Sequence, residues 1–156
     1  MGRTNYPGSA AIANVPLPIG DQVAAGTTAI LYDIIAPFDG RVTGVYALDT
    51  ATLALSDSDY MTITVTNLGA AGAGTTVVAK ATTETYDATL RPYGLAANFS
   101  ALIPKVIKLA ADATTDALTD AATKFSAGDV LQVTAVATGS GAFTAGQVFV
   151  FAVPGQ

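Results

Sequence analysis

The sequence predicts an all-β fold, an antiparallel β-sandwich of jelly-roll-like type with about eight strands, and three observations predict it. Apolar residues recur with period two in one segment after another, the spacing of a strand that buries one face. Gly, Pro, Asn and Asp punctuate the chain between those segments, as turns require. No series of helical segments alternates with the strands, which removes the parallel-sheet classes and leaves a sandwich or barrel.

Taken in order, "TAILYDIIAP" (28–37) and "RVTGVYALD" (41–49) read as strands joined by a tight turn at "PFDG", where Pro37 and Asp39-Gly40 are turn formers. "YMTITVTN" is the clearest strand, with Met61, Ile63 and Val65 on one face and Thr62, Thr64 and Thr66 on the other; β-branched hydroxyl residues suit a pleated surface. "GTTVVAKA" (74–81) follows the Gly-rich hairpin loop "LGAAGAG", and "TETYDATL" (83–90) is a weaker strand. "ALIPKVIKLA" (101–110) is apolar enough for a strand, but Pro104 demotes it to an edge or a bulge. In "DVLQVTAVA" (129–137) Leu131, Val133 and Ala135 oppose Gln132 and Thr134, and Gly128-Asp129 mark its start. "QVFVFAV" (147–153) closes the set beyond the turn "TGSGAFTAG". Two segments break the pattern. "ADATTDALTDAATK" (111–124) reads either as a short helix with Ala117, Leu118 and Ala121 inward or as a long loop, and "RPYGLAANFS" (91–100) as an irregular excursion near a sheet edge.

Residues 1–27 differ from the sandwich domain assigned to 28–156. They hold three prolines, four glycines and two charges, Arg3 and Asp21. Each Pro fixes φ and disfavours helix just before it, so "NVPLPIG" favours an extended path. Two readings stand: a disordered terminus, or an extended arm that docks on a neighbouring subunit through Val15, Pro16, Leu17, Pro18 and Ile19.

Charged residues make up 12% of the 156-residue chain against 51% hydrophobic ones, about half the usual charged share of roughly 25%. Such a surface sheds water cheaply, which favours burial against other subunits. The net charge is −5, and the seven Lys and Arg are scattered; without clustered cations there is no nucleic-acid footprint. The N-terminal stretch lacks the apolar core of a signal peptide. The uncharged stretch 130–156 is too interrupted by Gln, Thr, Ser and Gly for a membrane helix. No membrane partner is expected.

That uncharged stretch carries the strongest clue. Asp129 is the last charged side chain, and 27 residues follow it. In "QVFVFAV" both faces are apolar: Val148, Val150 and Ala152 on one, Phe149, Phe151 and Val153 on the other. One face fills the sandwich and the other needs a cover, either a loop of the same chain or, the favoured reading, a second subunit. Burying each Phe is worth roughly 1.5–3 kcal/mol.

Chemistry has few candidates. There is no Cys and no His, so thiol nucleophiles and the commonest general base are missing. Lys80, Lys105, Lys108 and Lys124 sit in no Ser–Lys motif. Most of the eleven Asp fall in turns, where Asx geometry accounts for them. Asp57 and Asp59, with Asp49 upstream, resemble alternating Ca²⁺ ligands, but the glycine and distant Glu of an EF-hand are missing, so a solvated turn is the favoured account. "GAAGAG" leads into a strand rather than a helix, so it makes no phosphate site. The chain is expected to be no enzyme and to need no cofactor.

"FDGRVTGVYAL", "SDYMTITVTNLGAAGAGTTVVA" and "FSAGDVLQVTAVATGSG", which together span residues 38–141, resemble the β-sandwich decoration (cement) proteins of tailed-bacteriophage heads. The shared features are a turn into a first hairpin, the "TVTNLG…GTTVVA" hairpin and a "GDVL" strand before a Gly-rich turn. The resemblance implies a jelly-roll-like protein on the outer capsid surface of the virion. It implies binding to the major capsid protein and a homo-oligomer, a trimer before a dimer. It carries no functional residues across, because such proteins act through surfaces. The alternative is a receptor- or glycan-binding head-fibre or tail module, for which Tyr60, Tyr86 and Tyr93 are the aromatic candidates. A surface-layer or adhesin domain is the third reading, and its secretion signal is not seen.

Overall fold

Alternation sets the strands, and the topology stacks them into two layers. The computed structural model describes residues 28–85, 93–95, 97–110, 119–140 and 147–155. Along these run β1 (Thr28–Ile35), β2 (Gly40–Leu48), β3 (Tyr60–Asn67), β4 (Thr76–Thr82), β5 (Lys105–Leu109), a single helical turn α1 (Asp120–Thr123), β6 (Lys124–Phe125), β7 (Val130–Thr138) and β8 (Gln147–Pro154). All ladders between them are antiparallel.

The β7 layer has the order β1-β7-β3-β4. In the β2 layer, β5 and β8 both pair with residues 45–47 of β2 and so flank it on opposite edges; the two-residue β6 shares the β5 side. β5 joins the layers, pairing with β4 through Leu109 and Lys108 and with β2 through Lys105, Val106 and Ile107. The sheet is therefore curled, with β1 and β8 at its two ends. This is the expected antiparallel, jelly-roll-like sandwich.

The core lies between the layers. Met61, Ile63 and Val65 of β3 and Leu131, Val133, Ala135 and Ala137 of β7 face Val42, Val45 and Ala47 of β2, Ile107 of β5, and Val148, Val150 and Ala152 of β8. The inward sets expected for β3, β7 and β8 are the ones observed. The cavity among Met61, Ile63, Leu95, Phe99 and Ile107 is about 10 Å³, room for one water at most.

Several expectations change. "PFDG" does not close a hairpin: β1 pairs with β7 and β2 with β8, so the turn carries the chain from one layer to the other. The β3–β4 connection is the true hairpin, with Gly69 and Gly72 at φ 66° and 69°, the left-handed region that glycine enters without strain. Pro104 does not place its strand at an edge. It stands one residue before β5, which lies between β2 and β4, so the missing N–H costs the ladder nothing.

Of "TETYDATL", Thr83 turns inward, its hydroxyl accepting the Met61 N–H at 2.9 Å, and Glu84 makes only an isolated bridge to Ser56. Residues 86–90 lie outside the described residues. Helix and loop both had a claim on 111–124; the described part is one helical turn in which Ala121 is exposed, and the chain then enters β6. Phe99, in the irregular stretch, is fully buried, held by reciprocal backbone bonds with Leu53.

Candidate interaction surface

Because side chains alternate along a strand, the residues that do not fill the core form the outer face of each layer. On the β2 layer, register brings Phe149 of β8 opposite Tyr46 of β2, and Tyr46 opposite Val106 of β5. One row across three strands is thus apolar. Phe149, Phe151 and Val153 are half-buried, Tyr46 is 39% exposed and Val106 57%.

The Tyr46 ring has a specific seat. It lies along the backbone of Gly44, where a Cβ would come to 3.2 Å from the ring. From there it meets Phe151 edge-on, with centroids 5.7 Å apart and an interplanar angle of 86°. Gly44 is opposite Phe151, next to a register shift between Val42 and Gly44. The glycine leaves space, the tyrosine fills it, and an aromatic pair of this geometry adds roughly 0.5–1.5 kcal/mol.

Two further apolar side chains sit just before β5. Leu102 is 69% exposed at φ 57°, and Ile103 is 54% exposed. A positive φ is costly for a branched side chain. The turn is held by the Leu102 N–H donating to the carbonyl of buried Asp49 at 2.8 Å and the Ala101 N–H donating to Thr52 Oγ1 at 3.1 Å.

The polar candidates prove to be ties within the fold. Asp59 Oδ1 accepts the Ser140 N–H at 2.6 Å and its hydroxyl at 2.7 Å, and Oδ2 accepts Ser58 Oγ at 2.8 Å. These bonds, the Ser140 N–H first, lower its pKa to about 2. The carboxylate pins the turn after β7 to the loop before β3. Among the described residues no three acidic side chains gather as a metal site.

At the other end of the sandwich an open cleft of about 1090 Å³ is lined by Asp39, Arg41, Asp120, Lys124 and Asp129 among others. Asp120 pairs with Lys124 at 3.1 Å and Arg41 at 3.5 Å, and its pKa is lowered chiefly by Lys124. Asp129 is lowered by the Ser126 N–H and then by the Asn67 amide. Carboxylates held ionised in this way are not poised to give up a proton near neutral pH.

Of the glycan candidates, Tyr93 has the Lys80 ammonium 5.7 Å from its ring centroid, so that face is engaged. Tyr60 is half-buried at the start of β3, and Tyr86 lies outside the described residues. Val15, Pro16, Leu17, Pro18 and Ile19 also lie outside them. The predicted Phe149, Phe151 and Val153 share one outer face as expected. Tyr46 and Val106 were missed because lateral neighbours on separate strands leave no local signal, and Leu102 and Ile103 because they stand in the turn before β5.

Compared with protein-family models, curated proteins and solved structures, the chain gives no significant match in any of the three.

Proposed function

We propose that this chain is a virion structural protein, a decoration subunit that lies on the outer surface of a phage head, bound to the major capsid protein and to copies of itself. The observation that carries the reading is the row Phe149–Tyr46–Val106, with Phe151 beside it, on the outside of the β2 layer. A continuous apolar outer face marks a contact surface, and a chain with 12% charged residues sheds little bound water in covering it. The resemblance of residues 38–141 to decoration proteins supplies the partner. Such a subunit acts by many modest contacts multiplied by avidity across the particle.

The test is to measure the mass of the purified chain over a range of concentrations, then to sediment it with undecorated heads assembled from the major capsid protein of the same genome. A stable oligomer, a trimer on this reading, that co-sediments with the heads and loses both properties in Phe151→Ser is the expected result. A chain that stays monomeric at every concentration and remains in the supernatant overturns it.

A further inference from the structure

The charges of the described strands are divided unequally between the layers. β2, β5, β6 and β8 carry Arg41, Lys105, Lys108 and Lys124 and no Asp or Glu, in a chain whose net charge is −5. β1, β3, β4 and β7 carry Asp33 and Lys80, which cancel. Cations that are scattered along the sequence are gathered by the fold on the β2 layer.

Register sets them beside the rings. Arg41 lies opposite Val153 of β8 on one side and Lys124 of β6 on the other, so Val153, Arg41 and Lys124 form a second row across the layer. Val153 and Phe149 share the outer face of β8, which places this row alongside Phe149, Tyr46 and Val106. Lys108 is exposed two residues beyond Val106. The Arg41 and Lys124 side chains are 55% and 63% exposed and share one carboxylate, Asp120, at 3.5 and 3.1 Å. One carboxylate between two cations leaves that row positive. The outer face is thus apolar along β8 and cationic along β5, β6 and the start of β2.

This pattern selects a partner by charge as well as by apolar contact. An apolar surface laid over the cations would strip their water without return, and a basic one would be repelled. Carboxylates set beside an apolar patch satisfy both halves of the face. Nucleic acid fits less well. It offers phosphates but nothing apolar to cover β8, and a chain of net charge −5 repels a polyanion beyond the short reach of these few cations.

We propose that the outer face of the β2 layer docks an acidic protein surface in which carboxylates border an apolar patch. The patch meets Phe149, Tyr46 and Val106, and the carboxylates meet Arg41, Lys108 and Lys124. The inference rests on the decoration reading for the partner's identity and adds its chemistry: the docking surface on the major capsid protein is acidic.

Complementary charge acts mainly on the rate of encounter. The test follows association of the full chain with undecorated, DNA-free heads, assembled from the major capsid protein of the same genome, at about 0.05 M and about 0.5 M salt. Association is expected to slow about tenfold or more at the higher salt. At the lower salt Arg41→Gln and Lys108→Gln are each expected to slow it about threefold. Lys108 lies opposite Lys80, so its neutralisation removes a like-charge pair and leaves the fold intact. Thr64→Glu changes the net charge equally but stands on the outer row of the other layer, opposite Lys80, and is expected to change the rate by less than about 1.5-fold. Heads that bind at a rate indifferent to salt, or slowed equally by all three substitutions, overturn the inference and leave the decoration reading standing. Failure to bind heads at either salt overturns both, as does binding to random duplex DNA in place of heads.

Discussion

On the outside of the β7 layer, Lys80, Thr64 and Thr134 make one row across β4, β3 and β7. On the outside of the β2 layer the corresponding row is Val106, Tyr46 and Phe149. Both rows stand on strands whose inward residues are aliphatic and fully buried, so the core alone does not decide what lies outside. The β7-layer row presents hydroxyls and an ammonium, groups that water solvates well. Even its like-charged neighbours Lys80 and Lys108 are eased by the Tyr93 ring under Lys80. The β2 layer presents rings that water solvates poorly. Among the described residues its one large exposed counterpart on the other layer is Ile35, at the end of β1. The sandwich therefore has one outer row of hydroxyls and ammonium and one of rings.

The same substitution made on each side tests that contrast most strongly. Tyr46→Lys removes the edge-on pair with Phe151 and uncovers Gly44, and is expected to cost about 2 kcal/mol in urea unfolding. Thr64→Lys places the same side chain on the solvated row and is expected to change stability by less than about 0.5 kcal/mol. Equal losses would mean that both outer faces are solvated alike. A smaller effect is expected from Gly44→Ala. Its new methyl meets the Tyr46 ring at 3.2 Å, and such crowding costs about 1 kcal/mol if the ring must lift. Gly155→Ala, where the nearest atom is the Asp39 carbonyl oxygen at 3.4 Å, is the control at ordinary van der Waals contact. Thermal unfolding of the pair separates a seated ring from one that merely lies nearby.

The hydroxyl row was the more legible of the two in the sequence. Strict alternation in β3 and β7 assigns Thr62, Thr64 and Thr66 outward and Met61, Ile63 and Val65 inward without any knowledge of neighbours. β8 was legible for a different reason: with both faces apolar and no charge after Asp129, one of its two faces had to lie outside the core. Tyr46 and Val106 could not be found in that way. "KVIKL" has adjacent apolar residues, and only its pairing with β2 and β4 sends Ile107 in and Val106 out.

The misread connections share a cause. Turn chemistry at "PFDG" shows where the chain reverses but not whether the next strand joins the same layer. Phe99 escaped because its place in the core comes from an isolated bridge to Leu53, which has no periodicity. The count of eight strands survived through an exchange: the weak strand at 83–90 is not one in its described part, while the two-residue β6 is.

The layers also differ in how their ends are tied, and this gives the smallest expected effect. In the β7 layer the tie is Asp59, bonded by neutral donors from Ser140 and Ser58. Gly139, at φ 59°, packs so closely on the Ser58 carbonyl and the Asp59 carboxylate that no Cβ fits. In the β2 layer the tie is Asp120 with Lys124 and Arg41, side chains more than half exposed. Folding lowers the Asp59 pKa from 3.8 to about 2, so the folded state favours its ionised form. Its contribution is complete above the unfolded value and is lost as the pH falls through the folded one. Asp59→Asn is therefore expected to unfold more easily than wild type near neutral pH, with the gap narrowing from about pH 4 to about pH 2. Raising salt to about 0.5 M screens the exposed Asp120 pairs but leaves short bonds from neutral donors in place, so the narrowing should persist in salt. A gap that closes with salt instead of acid would show that Asp59 acts by charge pairing, and the two ends of the sandwich would then be tied by the same means.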